Sequence, residues 1–465
     1  MSQDVFVLGV GMLRFGRMLD RGIKDLAREA LDAAVADAKI EPRRIEAVWF
    51  SNSGWGLNGG QDCIRGQVAL GSTALRGASM INVENACAGG ASALHGAFLS
   101  VASGASDVAL AIGVEKLCQK SRLRTFASFL GGMEVAALPE LMERARELAA
   151  DAPAAPSPAR GGGKKRRQRA SFGALSRTAL DAIVIADHFQ LDVMAMLRRA
   201  AMDRARSLGK AGNGAEKSPF MDVYAIGARR HMDRYGSTAR QLAVIAAKNH
   251  AHGALNPLAQ IQTEMSVDDV LGDRSVAPPL TRAMCAPLGD GAAAAIVCSE
   301  SFAREHGLMR AVRIRASVIA SGAKGAGSNA PGITERASAR AYERAGLGPD
   351  AIGVAEVHDA TAFGELHQSE ALGLCPEGQG GAFAESGATK IGGALPLNPS
   401  GGLECRGHPI GASGLAQIHE LVTQLRGEAG RRQVTGARIA LAQNGGGFLG
   451  EEEAAMAIHI LEGPK

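Results

Sequence analysis

Cys87 lies in the run Asn85-Ala86-Cys87-Ala88-Gly89-Gly90-Ala91, between an apolar stretch and a series of small residues. A strand-to-helix elbow at this point exposes the thiol to the free N–H groups of a helix start, an environment that favours a thiolate. The same donors suit the negative oxygen of a reacting thioester, so the pattern fits acyl transfer through an acyl-cysteine. An isolated cysteine among alanines is more often an inert core residue. Three C-terminal motifs reverse that order: Glu356-Val357-His358-Asp359-Ala360, Asn398-Pro399-Ser400-Gly401-Gly402-Leu403 and Arg406-Gly407-His408-Pro409-Ile410-Gly411-Ala412-Ser413-Gly414. A cysteine nucleophile needs a base, and a thioester carbonyl needs donors where charge develops. His358 and His408 are candidates for both roles.

The elements around these residues alternate. Val5–Gly11 reads as a strand, and Gly22–Ala38 as an amphipathic helix with Leu26, Ala27, Ala30, Leu31 and Ala34 at helical spacing. Ile45–Phe50 and Met80–Val83 read as strands, the latter leading through Cys87 into a helix over Gly90–Ala102, and Asp107–Gly113 is a further strand. The pattern resumes with strands at Ala292–Cys298, Val312–Ile319 and Gly353–Val357, helices at Ala337–Ala345 and Ala412–Leu425, and strands at Arg438–Ala442 and Ala454–Leu461. This predicts an α/β layering with helices on the sheet faces. Cys87 and His408 each precede a helix rich in small residues, an internal echo that points to duplicated halves meeting at one site. Between the halves, residues 120–275 carry helical stretches, including Asp181–Arg204 and Thr238–Ala251, and read as an inserted lid. Within it, an Ala/Pro-rich stretch and the basic run over 161–169 read as a solvated linker more readily than as a phosphate contact.

At 465 residues the chain is long enough for two or more substantial domains. Lys+Arg (51) nearly balance Asp+Glu (47), which argues against a polyanionic partner such as nucleic acid. The N-terminus has no basic segment before an extended apolar region, and no stretch suggests a membrane span; the expected compartment is the cytoplasm. The seven cysteines, at 63, 87, 118, 285, 298, 375 and 405, form no close pair, so neither a zinc site nor a disulfide framework is expected.

The combination of motifs resembles the thiolase superfamily, in particular the branch similar to sterol-carrier-protein-2 thiolases and acetyl-CoA acetyltransferases. The resemblance is carried by Asn85–Gly90, Gly113-Val114-Glu115-Lys116, Tyr235–Gln241, Asn256-Pro257-Leu258-Ala259, Asp290-Gly291-Ala292, His358-Asp359, Glu370–Cys375 and Asn398–Gly414. It implies a five-layered fold of two duplicated α/β halves with an inserted loop domain. The N-terminal half is placed at 1–119 and 235–300, the loop domain over a coenzyme A site at 120–234 with a flexible basic segment at 151–170, and the C-terminal half at 301–465. It further implies an acyltransferase with Cys87 as the acylated nucleophile, His408 as its base and His358 holding the thioester oxygen. Backbone N–H groups of Cys87 and of the glycine run near Gly446 form the other oxyanion hole, supported by Asn444 and Asp359. Coenzyme A is the co-substrate, with no tightly bound cofactor and no metal, and no coenzyme-A-binding residue is assigned. The implied assembly is a homodimer or larger homo-oligomer, with a small OB-like acyl-CoA-binding subunit as a further partner.

Two positions depart from the family. Many thiolases carry a second cysteine near the C-terminal glycine motif, where this chain has Asn444-Gly445-Gly446-Gly447; the sterol-carrier-like branch places it after His-Asp, where this chain has Ala360. Cys405 matches neither position, and His358 or His408 are the other candidates for handling the coenzyme A proton. The expected reaction is degradative: thiolysis of a bulky, branched or aromatic 3-ketoacyl-CoA. A condensing acyltransferase of ketosynthase-like chemistry, a thiolase-like aldolase and a noncatalytic acyl-CoA- or lipid-binding subunit are the competing readings.

Overall fold

The computed structural model describes residues 3–75, 77–120, 125, 128–135, 219–323, 330–450 and 452–464. The basic segment at 151–170, the helical stretch Asp181–Arg204 and most of the expected loop domain lie outside the described residues.

Strands β1 (Val5–Met12), β2 (Ala47–Ser51), β3 (Ser79–Val83), β4 (Val108–Lys116), β7 (Asp290–Ser299), β8 (Val312–Ser321), β9 (Val354–Glu356), β10 (Ile439–Leu449) and β11 (Glu452–Glu462) join in the order β3-β2-β4-β7-β1-β8-β11-β10-β9. A separate hairpin is made by β5 (Ser275–Ala277) and β6 (Leu280–Thr281). The central seam is thin: β1 meets β8 only at Phe6↔Arg313 and Val7↔Val312. Outward from that seam each half runs first strand, last strand, fourth, second. The parallel β2–β3 pairing of the N-terminal half has as its C-terminal counterpart a single parallel bridge between Ala355 and Leu397. The duplication suggested by the two helix starts is therefore present in the strand order.

Three apolar interfaces stack these elements into five layers. Helix Ile23–Ala38 buries Leu26, Ala30 and Ala34 against one face of the N-terminal half with Val48, Leu110 and Ile296. Helix Ile333–Ala345 does the same on the C-terminal half through Ile333, Ala337 and Ala341 against Val318 and Ile458. Between the two halves of the sheet lie helix Gly89–Ala102, called here the Cys87 helix, and helix Ser413–Leu425, the His408 helix. Ala93, Leu94, Leu415 and Ile418 pack there with sheet residues of both halves, including Ala111 and Ala440. With helices on both faces, β7 is buried at every position, which is why its sequence is a continuous run of small and apolar residues rather than an alternation.

The two central helices touch at their first turns. A Cβ on Gly90 would lie 2.8 Å from the Gly411 carbonyl oxygen, and one on Gly414 would lie 2.5 Å from the Ala91 nitrogen. Glycine at this crossing lets the two reactive side chains come from helix starts in backbone contact. Helix Ala239–Leu255, opened by a Thr238–Gln241 capping box, packs in a fourth apolar cluster with Ala362, Phe363 and Leu366.

Candidate active site

Strand β3 delivers the chain to Asn85, Ala86 turns it with φ +47°, and a short turn over Ala86–Ala88 opens the Cys87 helix. A positive φ at a non-glycine residue costs about 1–3 kcal/mol and persists where surrounding structure holds it. Here the holders are Glu84 Oε1, which accepts from the Ala86 N–H at 2.6 Å, and the Asn85 amide, which donates to Ser92 Oγ at 2.9 Å. The glycine motif of β10 lies against this turn. It is strand throughout its glycines, paired to β11 from Asn444↔Ala457 to Gly446↔Ala455. A Cβ on Gly446 would lie 2.2 Å from the Asn85 carbonyl oxygen, so only glycine admits the elbow, and the next residue's N–H, that of Gly447, hydrogen-bonds the Cys87 sulfur.

His408 arrives from the other half. Its Nε2 is 3.2 Å from Cys87 Sγ and its Nδ1 2.7 Å from Ser413 Oγ. The Ser413 hydroxyl donates to the Pro409 carbonyl, so it accepts from His408. That places the imidazole proton on Nδ1 and turns the Nε2 lone pair to the thiol, the arrangement of a general base. His358 is set oppositely. Its Nδ1 takes a hydrogen bond from the Asn444 amide nitrogen at 3.0 Å, which leaves its proton on Nε2 and makes it a donor. The rings stand 5.3 Å apart at 77°. The donor atoms of Cys87, His358 and His408 all lie within 4.8 Å of one another, a group close enough to hold a metal ion.

Burial sets the resting protonation. It holds His358 at about 3, and His408 well below the usual imidazole range, with the neighbouring imidazole and Arg406 adding to the effect. Both rings are neutral. Burial also pushes the Cys87 thiol up to about 12; the Gly447 N–H works against that rise, and the charges of Glu84 and Glu115 add to it. This corrects the expectation of a resting thiolate: the helix-start donors are present, but desolvation outweighs them. The pair rests as thiol and neutral imidazole.

The mutual position of the halves is fixed by buried polar groups. Glu115, at the end of β4, accepts from Ser53 N and Gly54 N at 3.0 Å and from Gly411 N at 3.1 Å, tying the His408 loop to the N-terminal half. Behind His408, Glu356 pairs with Arg406 at 2.6 Å and accepts from Ser400 Oγ at 2.8 Å. Asp359 faces this network, not the cavity: it accepts from Leu403 N at 2.7 Å and Asn249 Nδ2 at 3.2 Å. Cys405 is fully buried away from the cavity, where a Cβ on Gly253 would meet its Cβ at 2.6 Å.

The cavity over Cys87 holds about 630 Å³ of space outside the atoms; its walls include His358, Ala360, His408 and the Gly445–Gly447 backbone. Part of its lining is aromatic although aromatic residues make up only 4% of the chain. Phe129, Phe220, Phe448 and Tyr224 form a chain of ring contacts at 6.1, 5.8 and 5.5 Å. Sequence reasoning missed Ser413, Gly447 and Glu453 at this site. Ser413 had a signal, its place in the His408 motif; Glu453 had none, since it ends an acidic run that reads as a solvated turn.

Residues 5–150 match the family profile "Thiolase, N-terminal domain" and residues 329–460 match "Thiolase C-terminal domain-like". Sterol carrier protein 2 of Rattus norvegicus is 35% identical over 453 residues, covering 95% of this chain and 69% of the relative. Acetyl-CoA acetyltransferase of Methanothermobacter thermautotrophicus is 32% identical over 462 residues, 98% of this chain and 99% of the relative. The benzoylsuccinyl-CoA thiolase subunit BbsB of Thauera aromatica is 31% identical over 456 residues, 96% of each. Among solved structures, an Ltp2-ChsH2(DUF35) aldolase superposes with TM-score 0.68 at 21% identity, over 100% of this chain and 99% of that one. Human mitochondrial 3-ketoacyl-CoA thiolase in complex with CoA superposes at 0.60 and 16% identity, over 99% and 98%. At these identities the structures show a shared fold.

Proposed function

The chain belongs to the thiolase family, and from that membership we propose that it cleaves a bulky, branched or aromatic 3-ketoacyl-CoA by thiolysis through an acyl-Cys87 intermediate. The observation that carries the proposal is the 3.2 Å contact between Cys87 Sγ and the acceptor face of His408, with His358 presenting a donor to the same cavity. His408 takes the thiol proton as sulfur attacks the keto carbon. The N–H groups of Cys87 and Gly447 hold the oxygen of that addition, while His358 Nε2–H holds the thioester oxygen of the departing fragment. Asn444 sets the His358 tautomer, Gly446 admits the elbow, and Asp359 acts from behind by fixing the His408 loop. The aromatic lining supports a large or aromatic acyl group, and a relative named for benzoylsuccinyl-CoA supports the same class.

Coenzyme A is the second substrate, a reading supported by a structure of the same fold solved in complex with CoA. The same domain division, with halves at 1–119 plus 235–300 and 301–465, belongs to this proposal. A homodimer is supported by β3, an edge strand whose side chains are largely exposed, including Ile81 at 43%. A small OB-like partner is supported by the DUF35 component of the aldolase neighbour and by the subunit status of the benzoylsuccinyl-CoA relative. Among the described residues no helix is long and apolar enough to cross a membrane. Parallel assays with acetoacetyl-CoA, a long-chain and an aromatic 3-ketoacyl-CoA, in both directions, test the substrate. Preferred cleavage of the larger two is expected; efficient acetoacetyl-CoA synthesis with negligible cleavage of the others overturns it. The aldolase reading is compatible with the fold neighbour but opposed by the retained Cys87, and it predicts carbon–carbon cleavage that survives Cys87→Ala.

A further inference from the structure

Thiolysis needs a second proton-carrying group, and neither expected position supplies one. Ala360 lines the cavity without a titratable atom, and the Asn444 amide is committed to His358. The cavity nevertheless holds a carboxyl group, that of Glu453. Glu453 opens β11 opposite Phe448 of β10, and the tight hairpin folds its side chain back over the glycine motif. A Cβ on Gly445 would lie 3.2 Å from Glu453 Cγ and 3.5 Å from Oε1, so glycine at 445 leaves open the space that the carboxyl uses. Gln368, on the helix Ala362–Ala371, donates to Oε1 at 3.0 Å and fixes the group. The carboxyl thus occupies the wall beside the glycine motif, where the sequence lacks the second cysteine.

We propose that Glu453 is the second acid/base of the Cys87 reaction, a role that rests on the thiolase reading above. The Cys87 proton passes to His408 as the sulfur–carbon bond forms. When the bond between the keto carbon and the α-carbon breaks, its electron pair goes to the α-carbon of the departing CoA thioester as an enolate. Glu453, starting as the neutral acid, delivers its proton to that carbon. It then takes the S–H proton of the incoming coenzyme A, whose sulfur attacks the acyl-cysteine. Cys87 departs as thiolate and recovers its proton from His408, which returns all three groups to their starting forms. Burial raises the Glu453 carboxyl above its usual range, as a neutral resting acid requires. Tyr224 shares the cavity, but burial pushes its hydroxyl well above its ordinary value, so it stays protonated and is the weaker proton donor.

The test compares Glu453→Gln, Glu453→Asp and Tyr224→Phe in the full-length protein. Three readouts are used: cleavage of the preferred 3-ketoacyl-CoA, solvent deuterium uptake at the α-carbon of acetyl-CoA, and mass of the adduct formed with an activated acyl thioester. Glu453→Gln is expected to lower cleavage and deuterium uptake by about 100-fold or more, the usual weight of a general acid/base. The Cys87 adduct still forms in that variant, because an activated leaving group needs no proton, and Glu453→Asp recovers part of the exchange. Cleavage and exchange in Glu453→Gln within about threefold of wild type overturn the assignment, since a general acid/base is worth far more. So does a loss of adduct formation in the same proportion, which makes Glu453 a structural support, or an exchange lost only in Tyr224→Phe. Failure of the wild-type protein to form any adduct instead removes the acyl-cysteine reading itself, and the Glu453 role with it.

Discussion

The two halves bring their reactive residues to the same topological place by different physics. In the N-terminal half the Cys87 elbow is built from Ala86, Ala88, Gly89 and Gly90, and it is positioned by backbone: a positive-φ alanine, the Gly446 strand and the first turn of a helix. In the C-terminal half the third strand shrinks to one bridge at Leu397, and the chain to His408 is held by buried polar groups, chiefly the Glu356–Arg406 pair and the hydrogen-bonded Asp359 carboxyl. A duplicated scaffold fixes where the two helix starts meet. What each start carries then decides whether close packing or hydrogen-bonded charge must hold it. Small residues suffice for a nucleophile that works next to backbone N–H groups, whereas an imidazole with a defined tautomer needs a polar frame.

This contrast is broken most strongly at His408. His408→Ala should lower the rate of Cys87 acylation by about 10²- to 10⁴-fold, the range of a lost general base. The wild-type acylation rate should show no inflection near pH 6.5, because burial keeps His408 neutral well below that value; a fall in rate centred there would contradict the burial argument. On the backbone side, Gly446→Ala forces the elbow away from β10 and should cost about 100-fold in acylation, as a displacement of about 1 Å does in a preorganised site. Acylation in that variant close to wild type would show that the elbow is held by something other than the glycine strand.

On the charged side, Arg406→Met should lower unfolding stability by about 3–5 kcal/mol, since it leaves Glu356 buried without its partner. The double change Glu356→Gln with Arg406→Met should recover much of that loss in a denaturant titration, and no recovery would mean that the pair is not the frame. The smallest effect is expected at Cys405, which packs against Gly253 outside the cavity. Cys405→Ala should leave turnover within about twofold, as expected for a residue touching no reacting atom. A loss comparable to that of Cys87→Ala would place the missing second cysteine there after all.

Much of this arrangement was legible in the sequence because it depends on local pattern. The small-residue helix starts after Cys87 and His408 announced both the elbow and the duplication, and helix Ile23–Ala38 lies within a residue of its expected start. What escaped depends on contacts distant in the chain. The Asn444–Gly447 motif gave no sign of being a full strand, since glycine lowers strand propensity and the pairing to β11 is tertiary. The resting thiol of Cys87 was misjudged because helix-start donors can be read from sequence, whereas burial cannot. Glu453 was invisible because its neighbours in sequence are charged, and only the hairpin register turns it over Gly445.

The central claim is that Cys87 carries the acyl group, and intact-protein mass spectrometry after brief exposure to an aromatic or long-chain 3-ketoacyl-CoA tests it most directly. The predicted result is a mass increase equal to the shortened acyl group, mapped to the peptide containing Cys87, discharged by coenzyme A and absent from Cys87→Ala. Cleavage of the substrate with no adduct at Cys87, or cleavage that persists in Cys87→Ala, would contradict it.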